Sequence, residues 1–176
     1  MSVLHRDAWT FEELYGLPDT GQRYEVVDGN LIVTPPPSHH HQLVVSGLFH
    51  QLYAVCPAPW RVVFDFGLRL GTDGRVPDLA VIRMDAPRAT GTRYPFGADA
   101  FGLTVEVVSP RSRKADRFLK PAEYAEAGIP IYWRVELEPE LEIHAFVLEG
   151  DAYQRSHGPL PVPWGTIELD LAALLG

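Results

Sequence analysis

Apolar residues recur along this chain at two spacings, and together the two spacings predict an α/β fold. Helical spacing follows Ser38, a good N-cap residue, and predicts a helix that runs to about Val55. Two short apolar runs that are rich in β-branched residues, 78–83 and 102–108, instead predict buried strands. Turn and capping signals divide the rest of the chain into short elements between these segments.

Three local signals help to place the other elements. A capping box predicts the start of a short N-terminal helix, Asp-Gly predicts a hairpin turn, and Gly128 predicts the end of a helix. In chain order the other predicted elements are a short helix from Thr10 to about Leu17, a hairpin over 23–33, one strand over 60–70, a helix from Ser112 to Gly128, strands over 129–137 and 141–150, and a C-terminal turn of helix. This order predicts one domain over residues 1–176, with a mixed sheet flanked by helices and an N-terminal helix and hairpin.

Composition narrows the class of protein. An apolar content of 46% without any run of about 18 apolar residues indicates a soluble globular chain and no membrane span. The N-terminus lacks the order of a signal peptide, and the single Cys56 cannot form an internal disulfide or a zinc cluster, so we expect a cytoplasmic protein. The net charge of −8 disfavours attraction of nucleic acid to the whole surface, but leaves room for a local basic patch.

Two acids lie in apolar surroundings where a charge is costly. Asp78 stands in VPDLAVI and Glu106 in LTVEVVSP, each at an end of a predicted buried strand. If the two strands are neighbours, both carboxylates emerge close together, and their oxygens suit Mg²⁺ or Mn²⁺. Alternatively, each acid pairs only with an arginine, or Asp78 is an ordinary Pro-Asp turn residue.

A basic run follows Glu106 and extends into the predicted helix after Ser112. Its members are Arg111, Arg113, Lys114, Arg117 and Lys120. Asp116 and Lys120 are four residues apart and share a helical face, so the lysine could support metal-bound carboxylates. A plain Asp–Lys surface pair and a solvated charged face are the alternatives.

Pro121 interrupts this helix, which predicts either a kink or a new helix that begins there. Four neighbouring apolar residues are predicted to pack inward: Phe118, Leu119, Ala122 and Ala125.

Two further candidates lie earlier in the chain. Glu25 stands between Tyr24 and Val26 in the predicted hairpin, where an exposed strand face explains an acid almost as well as a site does. His41 ends the run HHH and leads into the apolar face of its helix, whereas the other two histidines are expected to be exposed.

The chain resembles the Uma-type family of restriction-endonuclease-like proteins, within the PD-(D/E)XK nuclease superfamily. The matching stretches run in family order: RYEVVDGNLIV, PPSHHHQL, VPDLAVI, TVEVVSPRSRKADRFLK and EYAEAGIPIYWRVE. The resemblance implies a restriction-endonuclease-like core and matches Asp78 and Glu106 to the two acids of the family. It matches Asp116 to an acid and Lys120 to a lysine on the following helix of the family, which lacks a lysine at the position of Val108. Glu25 matches the hairpin acid and His41 the histidine after the Pro-rich turn, whereas Pro121 and Arg111 depart from the family pattern.

These observations predict a Mg²⁺-dependent endonuclease that acts on DNA. Asp78 and Glu106 would bind the metal with the carbonyl of Val107, Lys120 would assist the chemistry, and Asp116 and Glu25 would support them. Arg111, Arg113, Lys114 and Arg117 would contact the nucleic acid. The alternatives are an inactive nuclease-like module that binds nucleic acid or protein, and a toxin-like or mobile-element nuclease that needs a partner chain; a homodimer is compatible with any of them.

Overall fold

The computed structural model of the protein describes residues 2–4, 8–18, 21–88 and 96–175, with residues 2–4 as backbone alone. Within these ranges, thirteen strands form three sheets. They are β1 (Ser2–Leu4), β2 (Arg23–Val27), β3 (Asn30–Thr34), β4 (Trp60–Phe64), β5 (Leu68–Leu70), β6 (Asp73–Arg75), β7 (Leu79–Arg83), β8 (Phe101–Val107), β9 (Ile131–Glu136), β10 (Glu142–Glu149), β11 (Ala152–Arg155), β12 (Leu160–Val162) and β13 (Gly165–Ile167). The α-helices are α1 (His39–Val55) and α2 (Lys120–Glu126), and short 3₁₀-helices cover Phe11–Gly16, Ala98–Ala100 and Ala172–Leu174.

The main sheet has six strands in the order β11-β10-β9-β8-β7-β4. Strands β8 and β9 are parallel, and the other neighbours are antiparallel. This mixed sheet confirms the predicted α/β fold. None of the helices in the described ranges combines the length and the apolar content that crossing a bilayer requires.

Alternation along the buried strands gives the main sheet two apolar faces. On one face, α1 packs Val44, Leu48 and Leu52 into a cluster with residues such as Val105 of β8. On the other face, Tyr124 of α2 belongs to a second cluster. Because side chains alternate along a strand, Glu106 points away from the α1 face and toward α2. Packing of the two helices therefore fixes which side of the sheet carries this acid.

A smaller sheet, in the order β1-β3-β2-β6-β5, contains the predicted hairpin, which turns at Asp28-Gly29. The chain leaves this sheet at the end of β6, passes through Val76, Pro77 and Asp78, and enters the main sheet as β7. Asp78 thus lies where the two sheets meet, and side chains from both of them can reach it.

The single strand predicted over 60–70 is wrong. Asp65 adopts a positive φ of 47° and ends β4, so the chain turns and continues as β5. Positive φ is uncommon outside glycine, but Asp tolerates it better than most residues. The two halves of the apolar run therefore lie in different sheets: β4 at the edge of the main sheet, and β5 at the edge of the smaller one.

The predicted disturbance at Pro121 takes the form of a π-helical turn over Ala115–Leu119, directly before α2. Proline has no N–H to close the preceding turn, and its ring clashes with the carbonyl four residues earlier. The wider turn relieves this, because the Lys120 N–H bonds to the Ala115 carbonyl, five residues back. The carbonyl of Asp116 is left without its usual helical donor and accepts a hydrogen bond from the hydroxyl of Tyr132 on β9. The helical segment ends as predicted, with Gly128 at a φ of 76°.

The inward packing predicted for three apolar residues of this segment is wrong. Phe118, Leu119 and Ala122 are exposed, and of the four predicted only Ala125 is buried. The reason is that Asp116, Lys120 and Tyr124 recur every four residues and together face inward. The helix therefore turns its polar stripe toward the sheet.

The packing of Phe11, in the N-terminal 3₁₀-helix, against Gly74 of the smaller sheet gives a test of the fold. A Cβ added at Gly74 would lie 1.9 Å from Cδ2 of the buried Phe11. We expect Gly74→Ala to lower the free energy of unfolding by about 1–3 kcal/mol, measured by urea denaturation, because the ring must move. Gly16→Ala is the control, because a Cβ there meets nothing within 4 Å. Equal stability of the two variants would contradict this packing.

Candidate active site

Strand register brings the two predicted acids to the same end of the main sheet. Leu79 of β7 pairs with Val105 of β8 in antiparallel register. The residue before Leu79 is Asp78 and the residue after Val105 is Glu106, so this register places the two acids opposite each other. A cavity of about 380 Å³ opens at this point. The predicted residues that line it are Glu25, His41, Asp78, Glu106, Val107, Arg111, Asp116 and Lys120. The two strands are neighbours, which was the condition for the two carboxylates to lie close together.

Asp78 is buried and accepts hydrogen bonds from three directions. Its Oδ1 lies 2.6 Å from Nη1 of Arg23, and its Oδ2 lies 3.1 Å from Nε2 of His41 and 2.8 Å from the Val107 nitrogen. Burial alone would raise the pKa of Asp78, but His41 and Arg23 outweigh it and hold this pKa well below its usual range. Asp78 is therefore a fixed, charged carboxylate with an arginine partner.

Glu106 is buried more deeply than Asp78, with 1% of its surface exposed against 5%. Its Oε2 lies 2.7 Å from Nζ of Lys120, and its Oε1 accepts a 2.6 Å hydrogen bond from the hydroxyl of Tyr124. Burial raises the pKa of Glu106 from 4.5 to about 8; attraction to Lys120 opposes this rise, and repulsion from Asp116 and Asp78 adds to it. Near neutral pH this carboxyl group therefore binds a proton readily, unlike Asp78.

Lys120 lies among three carboxylates. Besides Glu106, its Nζ is 3.0 Å from Oδ1 of Asp116 and 4.0 Å from Oε1 of Glu25. Burial alone would lower the pKa of Lys120, but these carboxylates raise it above its usual value. The ammonium is thus charged and buried, and the alternative of an exposed Asp116–Lys120 surface pair is wrong.

Glu25 is buried as well, so the alternative of an exposed strand face does not hold for it. It accepts a 2.9 Å hydrogen bond from the Val76 nitrogen and lies 3.4 Å from Nη1 of Arg75. Arg75 in turn holds Glu123 of α2 through two bonds of 2.7 and 2.6 Å. Burial alone would raise the pKa of Glu25, but Lys120 and Arg75 keep it below its usual value. These contacts join β2 and β6 to α2.

His41 is the one member of the histidine run that enters the cavity, and His39 and His40 are exposed as expected. Ser38 caps the helix by accepting a hydrogen bond from the His41 nitrogen. The Nε2 atom of His41 faces Asp78, and its Nδ1 atom is buried without a hydrogen-bond partner among the described residues. The cap therefore orients this side chain at the first turn of α1.

The basic run is not one uniform surface. Lys120 is inside, Arg113 pairs with Glu138 at 2.7 Å, and Arg117 pairs with Glu136 at 2.9 and 2.8 Å. Arg111 is exposed and lines the cavity, and Lys114 is exposed. Within the described ranges neither Arg111 nor Lys114 forms an ion pair. Their positive charges are therefore not offset by a carboxylate of the described residues and can attract a negatively charged ligand.

Three residues of the site did not come from sequence reasoning: Arg23, Arg75 and Tyr124. Tyr124 follows Lys120 by four residues, and this helical spacing could have revealed it. The two arginines contact partners 55 and 48 residues away along the chain. No local pattern indicates pairs of such separation.

The carboxylate oxygens of the site are the kind of ligand that divalent cations such as Mg²⁺ prefer. Four buried carboxylates (Glu25, Asp78, Glu106 and Asp116) face the cations Arg23, Arg75 and Lys120, of which Arg75 also binds Glu123. A carboxylate offers roughly four lone-pair positions, so the contacts of Asp78 and Glu106 leave acceptor capacity on both. As they stand, the described residues contain no group of three or more His, Cys, Asp or Glu side chains arranged to hold a metal ion.

Residues 11–171 match the Uma2 family, whose description is "Putative restriction endonuclease". The chain belongs to the Uma2 family. The resemblance of its motifs is thereby confirmed over nearly the whole chain. No curated protein matches the sequence.

A solved structure from Anabaena variabilis has a similar fold, and its description is "a putative nuclease belonging to DUF820". The two chains share 20% sequence identity with a TM-score of 0.72, and the match covers 94% of this chain and 97% of the other. At this identity the likeness supports the Uma2 fold rather than a particular activity.

The raised pKa of Glu106 predicts a pH-dependent stability. A raised folded-state pKa stabilises the fold fully below the ordinary value of 4.5, and this contribution is lost as the pH rises through about 8. We therefore expect wild-type stability to fall across this window more steeply than that of Glu106→Gln, by at most about 1.4 kcal/mol per pH unit. Urea denaturation along a pH series measures both slopes.

The exposed Glu149→Gln at the end of β10 is the matched control and should retain the wild-type slope. If Glu106→Gln also retains it, Glu106 is ionised as readily in the folded protein as in the unfolded chain.

Proposed function

We propose that this Uma2 protein is a divalent-metal-dependent endonuclease that hydrolyses phosphodiester bonds in DNA. The observation that carries the proposal is the buried contact between Lys120 and Glu106 in a cavity that also holds Asp78. A charged lysine next to two carboxylates is suited to phosphate chemistry, and membership of a family described as restriction endonucleases supports the assignment.

Asp78 and Glu106 would hold Mg²⁺ or Mn²⁺, with the carbonyl of Val107 as a further oxygen ligand. When bound, such an ion lowers the pKa of a coordinated water and offsets charge on the phosphate. The Val107 nitrogen already donates to Asp78, so this residue holds the first acid in place whatever its carbonyl does. Arg23 and His41 fix the same carboxylate from the opposite sides.

Lys120 would act as a charged donor to the phosphate or to the attacking water, not as a base, because its surroundings keep it protonated. Asp116 and Glu25 hold the ammonium and so set its direction. The pairing replaces the usual strand-borne lysine, since Val108 is buried and its N–H bonds to the Val135 carbonyl.

Nucleic acid would approach across the mouth of the cavity. Arg111 and Lys114 would contact its phosphates most strongly, because Arg113 and Arg117 are already paired with acids. The excess of acidic residues elsewhere would confine binding to this side of the molecule.

The second candidate function is an inactive nuclease-like module that binds nucleic acid or protein. Two observations favour it: protein donors already contact both carboxylates, and the net charge is −8. Such a module has no need of a metal at Asp78 and Glu106, whereas the nuclease requires one.

A nicking assay tests the catalytic proposal. We expect the wild type to nick plasmid DNA with Mg²⁺ or Mn²⁺, and Asp78→Asn and Lys120→Met to lose about 10²–10³-fold in rate, because each removes a charge at the reacting phosphate. Asp151→Asn, exposed in the turn between β10 and β11, is the matched control and should cut at the wild-type rate. Equal cutting by all four proteins, or none by the wild type with either metal, would refute this mechanism.

Calorimetry with Mn²⁺ separates the two candidate functions without depending on activity. We expect the wild type and Asp151→Asn to bind Mn²⁺, and Asp78→Asn to bind it far more weakly, because one carboxylate ligand is lost. A folded wild type that binds no Mn²⁺ would favour the inactive module.

A further inference from the structure

A second cavity, of about 620 Å³, adjoins the candidate active site. The two cavities share Arg23, His41, Asp78 and the wall formed by Pro35–Pro37. The volume lies in the range of small-molecule sites, roughly 300–1,000 Å³. Whatever occupies this second cavity therefore lies directly beside Asp78.

Two phenylalanines give this aromatic cavity its character. Phe64 lines it with 58% of its surface exposed, and Phe49 lines it from α1. Their ring centroids are 5.4 Å apart and the rings meet edge to face at 79°. Phe49 also stacks on Tyr53 at 5.6 Å. Phe64 thus packs against Phe49 while more than half of its own surface remains exposed.

The register of the main sheet places this ring beside the site. Phe64 is the last residue of β4 and pairs with Leu79, the residue directly after Asp78. A ring exposed to this extent contributes little to the core, because its burial is incomplete. Its position suits contact with a ligand that reaches from the carboxylates into the aromatic cavity.

Polar groups of the aromatic cavity favour a nucleobase over a phosphate. Asp65 lines it and lies 3.5 Å from Nη1 of Arg23, so a carboxylate would repel a phosphate there but would accept from an N–H group of a base. The Gln42 amide lines the same cavity and can both donate and accept. Arg23 lies at the boundary with the active site, where a phosphate attached to that base would pass.

We propose that the aromatic cavity binds an unpaired nucleobase next to the phosphate that is cleaved, so that the substrate is single-stranded DNA or an unpaired segment of a duplex. This inference rests on the proposed nuclease function. A base within a duplex is stacked on both sides and cannot place its face on Phe64, whereas an unpaired base can. The acidic surface also weakens the phosphate attraction on which duplex binding largely depends.

The expected contribution of one stacked base is about 1–3 kcal/mol, and 1.4 kcal/mol corresponds to a tenfold change in the dissociation constant. Phe64→Leu keeps an apolar side chain but removes the flat face, so it should weaken single-strand binding about tenfold. Phe64→Tyr keeps the flat face and should bind within about twofold of the wild type.

Fluorescence anisotropy in the presence of Ca²⁺ measures the dissociation constants of each variant for a short labelled oligothymidylate and for a duplex of equal length. We expect the wild type to prefer the single strand, Phe64→Leu to lose that preference and Phe64→Tyr to retain it. The matched control is Phe118→Leu, a phenylalanine that is 69% exposed but lines neither cavity. Thermal unfolding checks that all variants are folded.

The inference is overturned if the oligothymidylate does not bind, if the duplex binds as tightly, or if Phe64→Leu and Phe118→Leu lose equal affinity. An aromatic cavity that accommodates an apolar protein segment instead would leave the affinity of Phe64→Leu for oligonucleotide unchanged.

Cleavage assays with Mg²⁺ on the same two oligonucleotides keep the two proposals apart. Cutting of the duplex at equal rates by the wild type and Phe64→Leu would overturn the unpaired-base site but leave the nuclease function standing. Preferential binding of the single strand by the wild type without any cutting would overturn the nuclease function but support the aromatic cavity as a base site.

Discussion

The buried ammonium of Lys120 is the charge on which the rest of this site depends. It lies within 4.0 Å of carboxylates from β2, β8 and the π-helical turn. Carboxylates crowded in a desolvated cavity repel one another, and removing water makes that repulsion stronger. One central cation allows carboxylates from three different elements to meet at a single point.

The free-energy cost of burying these charges is offset by apolar packing elsewhere in the fold. Two apolar clusters, one on each face of the main sheet, contain most of the large buried side chains, whereas the buried charges gather where the smaller sheet joins it. A buried ion pair stabilises a fold little, because desolvation offsets much of the attraction. The energetic support for the cavity therefore comes from Val105, Trp133 and their neighbours, and the charges determine its chemistry.

The pattern of apolar residues in the sequence predicted those features of the fold that depend on neighbouring residues in the chain. The apolar runs around Asp78 and Glu106 were enough to predict two buried strands, and the acids were expected to meet if these strands were neighbours, which they are. The break at Asp65 was missed, because a positive φ in a residue other than glycine leaves little trace in an apolar run. The direction predicted for Phe118 was wrong for a different reason. Apolar residues of a helix usually face inward, but here the helix turns the buried Asp116 and Lys120 toward the sheet. The roles of Arg23 and Arg75 depend on contacts between sheets, which local spacing does not encode.

The π-helical turn has a consequence for how the site comes into being. A regular helix satisfies its carbonyls from within, but the Asp116 carbonyl is satisfied by Tyr132, a side chain of β9. A fragment that ended before β9 would contain Glu106, Asp116 and Lys120 and would lack the Tyr132 hydroxyl that donates to the Asp116 carbonyl. The segment that carries Lys120 thus depends on a later strand for one of its hydrogen bonds. The site is therefore a property of the assembled sheet and not of the local sequence motif alone.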